Sequence, residues 1–295
     1  MLRLATATRG LGRVSRARAK PALTQQCLFS SSSSPKPSLL DGFDGFMQFA
    51  NRCVDRLGQL ERYRRENVFP PSHLGLYNYV LYNKLQLPTN TEIDAVDFLD
   101  GAKFACDLTM NTMYSREFIN FATGKTRESP AAETLKQGLS GACFDAFVFA
   151  MQETTKSGTS FSLTQLDFNG VYLSGVHWDR LSLAELKSEH ALEELSRAQL
   201  ARLDAEQGRP EDRQLEDVTV EVRPEELVAK ITPEDHAIMV ERMRLDVQFH
   251  IKESLDVTTP EMPVQSIERE SAPVWRFESM VTQPEDVDWR IVSVV

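Results

Sequence analysis

The stretch "MVERMRLDVQFHIKESL", residues 239–255, alternates apolar and polar side chains for most of its length. Met239, Met243, Leu245, Val247, Phe249 and Ile251 fall on one side, and Arg242, Arg244, Asp246, Gln248, His250 and Lys252 on the other, with Glu241 the exception. Successive side chains of a strand point to opposite faces, so this is a long strand with one buried face and one wet face. The last 22 residues repeat the pattern in "VWRFESMV" and "DWRIVSVV", two strands joined by a Pro-Glu-Asp turn.

The first half of the chain has a different period. In "FDGFMQFANRCVDRLGQLERYRREN" (43–67), Phe46, Phe49, Ala50, Cys53, Val54 and Leu57 recur at helical spacing, and Pro70-Pro71 ends the run. A second, aromatic-rich helix is expected from about Ser72 to Leu85, stopped by Pro88. Its "LGLYNYVLYNKL" suits either a buried helix or an element at a membrane or partner surface, and core packing is the default for an apolar stripe. "TEIDAVDFLDGAKFACDLTM" (91–110) predicts a helix with Thr91 as N-cap, Asp94 in its first turn, and Phe98, Leu99, Ala102, Ala105, Cys106, Thr109 and Met113 on one face. Ser115 is placed to cap a short helix that Gly124 stops, and one more helix is expected from Pro130 to about Gln152.

"SFSLTQLDF" and "VYLSGVHW" then alternate, with Asn169-Gly170 between them, a strong signal for a hairpin turn. Residues 181–217 are charged and helix-favouring until Gly208 and Pro210, and are read as a surface helix plus loop inserted between strands. Strand character resumes at "VTVEV". Helices gathered first and antiparallel strands after them give an α+β class, with N-terminal helices packed on one face of a sheet of about four or more strands.

Charge divides the chain differently. Residues 1–40 hold seven of the 33 basic residues and no Asp or Glu, which leaves 26 basic against 43 acidic residues beyond them, a net charge of −17. "MLRLATATRGLGRVSRARAK" followed by "CLFSSSSSPKP" has the composition of a mitochondrial or plastid transit peptide with a Ser-rich linker, the alternative being a basic tail that binds acidic surfaces. The organisation read from the sequence is a presequence over 1–40, an amphipathic helical segment over 41–89, and an α+β domain over 90–295 interrupted by the insertion at 181–217.

Catalytic signals are weak. Gly124-Lys125-Thr126 ends like a phosphate loop, but GxxxxGK[ST] needs glycine at position 119, which is Ile, and a preceding strand rather than a helix. Gly138-Leu139-Ser140-Gly141-Ala142 resembles a nucleophile elbow but closes on Ala inside a helical pattern. His73, His177, His190, His236 and His250 lack metal spacing; His236 and His250 are expected far apart on one strand, and His177 is expected to be a hydrogen-bonded structural residue. Asp286 and Asp288 fall in the terminal turn. Cys27, Cys53, Cys106 and Cys143 show no CxxC pair; Cys27 leaves with the presequence, and the other three read as buried free thiols. No catalytic, cofactor-binding or metal-ligating residue is assigned. The acidic balance disfavours nucleic acid as a partner, despite Arg62, Arg64 and Arg65.

"DFLDGAKFACDLTMNTMYSREFINFATG" and "VWRFESMVTQPEDVDWRIVSVV" resemble the opening helix pair and closing strands of the domain family of translocase of the inner membrane (TIM) subunit 44, over roughly residues 90–295. With "YNYVLYNKL" just before "DAVDFLDGAK", the chain is most similar to the members that interact with the m-AAA protease. The resemblance implies a cone-like, NTF-two-like sheet with helices across its concave face and no catalytic residues. It also implies a matrix protein peripheral to the mitochondrial inner membrane, acting as a non-enzymatic, chaperone-like adaptor for an m-AAA protease or for import or insertion machinery. Residues 181–217 depart from the family pattern as an insertion. Two alternatives stand beside it: a small-molecule enzyme on the same cone, which a buried Asp-His pair would favour, and a mitoribosome-associated insertion factor, for which the acidic surface is unsuited.

Overall fold

A computed structural model describes residues 43–156, 158–207, 231–259 and 262–294. The presequence, the strand expected at 218–222 and the loop half of the 181–217 insertion lie outside these residues. Seven helices come first: α1 (Phe43–Asp55), α2 (Leu57–Arg65), α3 (Gly75–Leu85), α4 (Ala95–Met113), α5 (Arg116–Ala122), α6 (Pro130–Gly138) and α7 (Gly141–Lys156). Strand β1 (Ser160–Ser182), helix α8 (Leu183–Gln207), and strands β2 (Met239–Thr259), β3 (Met262–Ser271), β4 (Val274–Met280) and β5 (Arg290–Val294) follow. The class is α+β, with the N-terminal helices followed by a five-stranded antiparallel sheet.

Most helix ends follow local chemistry. The Ser115 side chain accepts from Phe118 N and caps α5, and Ser129 caps α6 ahead of Pro130. Asp94, not Thr91, caps α4 by accepting from Val96 N at 2.9 Å. The Thr91 hydroxyl is instead buried without a partner among the described residues. The expected 43–67 helix breaks at Arg56 into α1 and α2, and Asn67 ends the run at φ 54°, ahead of the two prolines. The expected 130–152 helix also breaks. Leu139 is extended and bridges to Ile291 of β5, while Ser140 N donates to Ile291 O at 2.8 Å, so Gly138–Gly141 is a helix break held by the sheet.

β2 is the spine of the sheet. It pairs with β1 from Met239↔Ser182 to Thr258↔Ser160. On its other side it pairs first with β4 and then with β3, which sequence reading missed. Pro273, which has no N–H to donate, separates those two partners, and its carbonyl accepts from Phe249 N. Asn169-Gly170 is not a turn, because β1 runs straight through it. Thr164, Asn169 and Ser174 are each left unpaired at register shifts five residues apart. Three bulges in one strand bend it and raise its twist, which curves the sheet. The Thr164 and Ser174 hydroxyls donate to the carbonyls of Ser254 and Asp246. Gly175 is required for space, since a Cβ there would lie 2.7 Å from Asp246 Oδ2.

The inward face of β2 carries Met243, Leu245, Val247, Phe249 and Ile251, all buried under the helices. The predicted face of α4 is buried residue for residue. Its Phe98 ring lies 5.5 Å from Phe277 of β4 and 4.7 Å from Trp289 just before β5, so the aromatic residues of the closing strands are core contacts. Each such ring contributes about 1.5–3 kcal/mol through burial. The outward face has its own cover in α8. Buried Arg242 donates to Glu189 of α8 at 2.5 Å and to Asp179 of β1 at 3.3 Å, and Arg197 of α8 donates to Asp145 of α7 at 2.7 Å. The charged insertion therefore straps the polar face of the sheet with ion pairs instead of standing free in solvent.

Candidate functional site

The amides of Gly124-Lys125-Thr126 are already occupied. Gly124, at φ 73°, donates to Phe121 O, and Lys125 N donates to Asn120 O, the paired bonds of a Schellman helix stop. The same stop lines a cleft of about 630 Å³ between α5 and α7, with Phe121, Val148 and Gln152 in its walls.

The histidines do not converge. His236 lies in a short 3-10 turn (Pro233–His236) and not, as expected, on the long strand, because Pro233 starts that turn within a Thr232–Asp235 capping box. His250 packs edge-on against Tyr172. His177 lies 3.2 Å from Asp246, an Asp-His pair on the outer face of the sheet rather than in a cleft. Its imidazole is 46% exposed, and Arg276 holds the carboxylate with two bonds of 2.7 and 3.0 Å. Burial raises the Asp246 pKa, but the hydrogen bonds and charge of Arg276 together with those of His177 outweigh it and hold the group below the ordinary carboxylate value. That arrangement is an orienting ion pair, with His177 a hydrogen-bonded structural residue. Asp288 pairs with Arg290 at 3.3 Å, and Asp286 lies in the exposed turn. Among the described residues no group of three metal-ligating side chains occurs.

The thiols of Cys53, Cys106 and Cys143 are free and buried. Burial raises all three pKa values, that of Cys143 to about 11, so none is poised as a nucleophile at neutral pH.

Two features stand out instead. The first is the outer surface of α1 and α3. Tyr63 and Tyr82 anchor this segment inward: the Tyr63 hydroxyl accepts from Ala95 N at 3.0 Å, and the Tyr82 hydroxyl donates to Cys53 O at 3.1 Å. Burial pushes both phenols up to about 12. The apolar face predicted for α1 is wider than the core can cover. Cys53 points in, while Phe46, Met47, Val54 and Leu57 stay exposed. On α3, Leu81, Tyr82 and Leu85 are buried, whereas Leu76, Tyr77, Tyr79 and Val80, with Leu74 just ahead, face solvent; Leu74 and Leu76 are 80% and 77% exposed. The core reading of this helix holds for one side only.

The second is a cavity of about 430 Å³ bounded by the end of α4, by α7, and by β2 through β5. Met110, Met113, Phe147 and Ile251 make its apolar wall, and Glu253 and Trp275 line it too. Glu253 escaped the sequence reading, although it stands at the inward parity of β2, two residues beyond Ile251.

No protein-family model matches the chain, and no curated protein matches it. Among solved structures, it is similar to the intermembrane space region of chloroplast protein ARC6, at 12% identity and a TM-score of 0.25. That likeness covers 66% of this chain and 94% of the other, and at so low a score it carries no argument about function. The site therefore defines a class only: an α+β protein with an open apolar helical face and a partly open cavity between helices and sheet. Among the described residues no helix is long and apolar enough to cross a membrane.

Proposed function

We propose that the protein is a non-enzymatic adaptor of the mitochondrial matrix that rests on the inner membrane through the outer surface of α1 and α3. The observation that carries this reading is the coincidence of apolar exposure with local charge. Residues 41–89 hold six basic and five acidic side chains, whereas residues 90–295 hold 20 basic and 38 acidic. Beyond residue 40, the part that an anionic lipid surface does not repel is the part that leaves Leu74, Leu76, Tyr77 and Val80 uncovered. Leucine and tyrosine on a helix lying flat suit the headgroup boundary, and arginines nearby favour anionic lipid. Arg64 and Arg65, both exposed, supply that charge. The machine served, an m-AAA protease or import or insertion machinery, rests on the resemblance in the sequence and not on the surface itself.

The test is sedimentation of the full chain with vesicles. Binding is expected to vesicles rich in anionic lipid, to weaken with salt, and to be lost in Leu76→Ser/Val80→Ser, whose thermal unfolding stays close to that of the parent because both side chains are exposed. Equal binding of the parent and the double variant, or no binding to either lipid composition, overturns the membrane contact. Recovery from mitochondria as a free species, with neither membrane nor protease, overturns the adaptor reading.

A further inference from the structure

The cavity at the end of α4 holds a polar set that the fold leaves incomplete. Glu253 is 4% exposed, and among the described residues its carboxylate accepts one hydrogen bond, a long one of 3.3 Å from the Ser271 hydroxyl. An ionised carboxylate has room for about four. Trp275, 1% exposed, lines the same cavity, and its indole N–H is buried with no acceptor among the described residues. An acceptor short of donors and the ring of Trp275 thus share a partly open cavity whose other walls include Met110, Met113, Phe147 and Ile251. Buried polar groups are nearly always satisfied, and a built exception in a cavity marks a place where a bound molecule completes the set. Arg269 stands opposite Glu253 in the β2–β3 register and lines the cavity, but it is exposed and forms no ion pair among the described residues. Its charge is therefore screened by solvent more than that of the buried Glu253.

We infer that this cavity is a binding site for a small amphiphilic amine: a compact apolar body within the methionine and phenylalanine wall, with an ammonium group donating to Glu253. The sign of the buried charge selects the ligand, because an anion would face the Glu253 carboxylate, whereas an ammonium gains charge-assisted hydrogen bonds to it. This site is independent of the membrane face on α1 and α3, and each can fail without the other.

The experiment titrates the full chain with octylamine, octanol and octanoate, three probes with one apolar body. Binding is read by calorimetry and by the indole N–H resonance of Trp275 in a nitrogen-labelled sample, assigned with Trp275→Phe. Octylamine is expected to bind about 10-fold more tightly than octanoate, the factor that one charge-assisted bond supplies, and to move the Trp275 resonance. Glu253→Gln, nearly isosteric, should reduce that preference to about 2-fold or less while octanol binding stays. Arg269→Ala should strengthen octylamine binding, and Val294→Trp, a partly exposed position lining the cavity, should block all three probes. The proposal is overturned if octanoate matches or exceeds octylamine, if Arg269→Ala abolishes binding, or if no probe moves the Trp275 resonance. Equal preference in the parent and Glu253→Gln would equally overturn it, leaving only an unselective apolar hole.

Discussion

Glu241 and Glu253 lie on one strand and one face, are buried to 7% and 4% exposure, and have opposite surroundings. Glu241 closes the fold. Its carboxylate accepts from Thr89 N at 2.8 Å and from the Thr89 hydroxyl at 2.5 Å, tying the loop before α4 to the start of β2. Glu253, at the other end, has among the described residues the Ser271 hydroxyl as its one hydrogen-bond donor, and it borders a cavity. Two residues identical in type, parity and burial thus divide into a structural anchor and an open binding group. Burial of a charged residue does not by itself tell function from packing; the count of satisfied bonds does.

Stability measurements put that contrast at risk. Glu241→Leu strands the Thr89 amide and hydroxyl in a part-buried site, and a loss of about 2–3 kcal/mol is expected by denaturant unfolding. A loss no larger than that of Glu253→Gln would break the contrast. Asp246, on the opposite face of the same strand, is a satisfied carboxylate, so it should behave like Glu241. Asp246→Asn is expected to cost about 1 kcal/mol at neutral pH, discounted because the Arg276 side chain is 41% exposed. The folded-state pKa of Asp246 lies below its unfolded value. Its contribution is therefore complete above about pH 4 and fades as pH falls through the lower folded value. The stability gap between parent and Asp246→Asn should close on acidification; a gap constant with pH would show that the Arg276 clamp does not couple to folding. The smallest effect is expected at Glu253→Gln, within about 0.5 kcal/mol of the parent in the absence of ligand, because few bonds are lost. A large destabilisation there would make Glu253 a structural residue as well.

The α1–α3 segment and α4 offer a second contrast. Both show apolar residues at helical spacing, yet α4 buries its whole predicted stripe and α1 buries only part. The stripe of α4 was legible because it has a sheet to meet. The width of the α1 stripe was legible too, but not that the core would run out before covering Val54 and Leu57.

Other misreadings have the same origin. Asn169-Gly170 carries the residues of a hairpin turn, but β1 has a partner along its entire length in β2, and so the extra residue became a bulge. The helix break at Leu139 is made by Ile291, which pairs with it from the far end of the chain. β3 was missed because "MPVQSIERES" lacks an apolar face of its own, and it exists because β2 extends past β4 and offers an unpaired edge.

Local chemistry alone determined the α+β class, the inward parity of β2, the buried face of α4, the Ser115 cap and the Gly124 stop, because each depends on spacing or dihedral preference within a few residues. The different fates of Glu241 and Glu253 came from the tertiary structure. The anchor of Glu241 lies 152 residues away at Thr89, while the cavity beside Glu253 gathers side chains from two helices and four strands. Hydrogen-bond partners supplied at that distance leave no period in the sequence, and an unfilled bond leaves none at all.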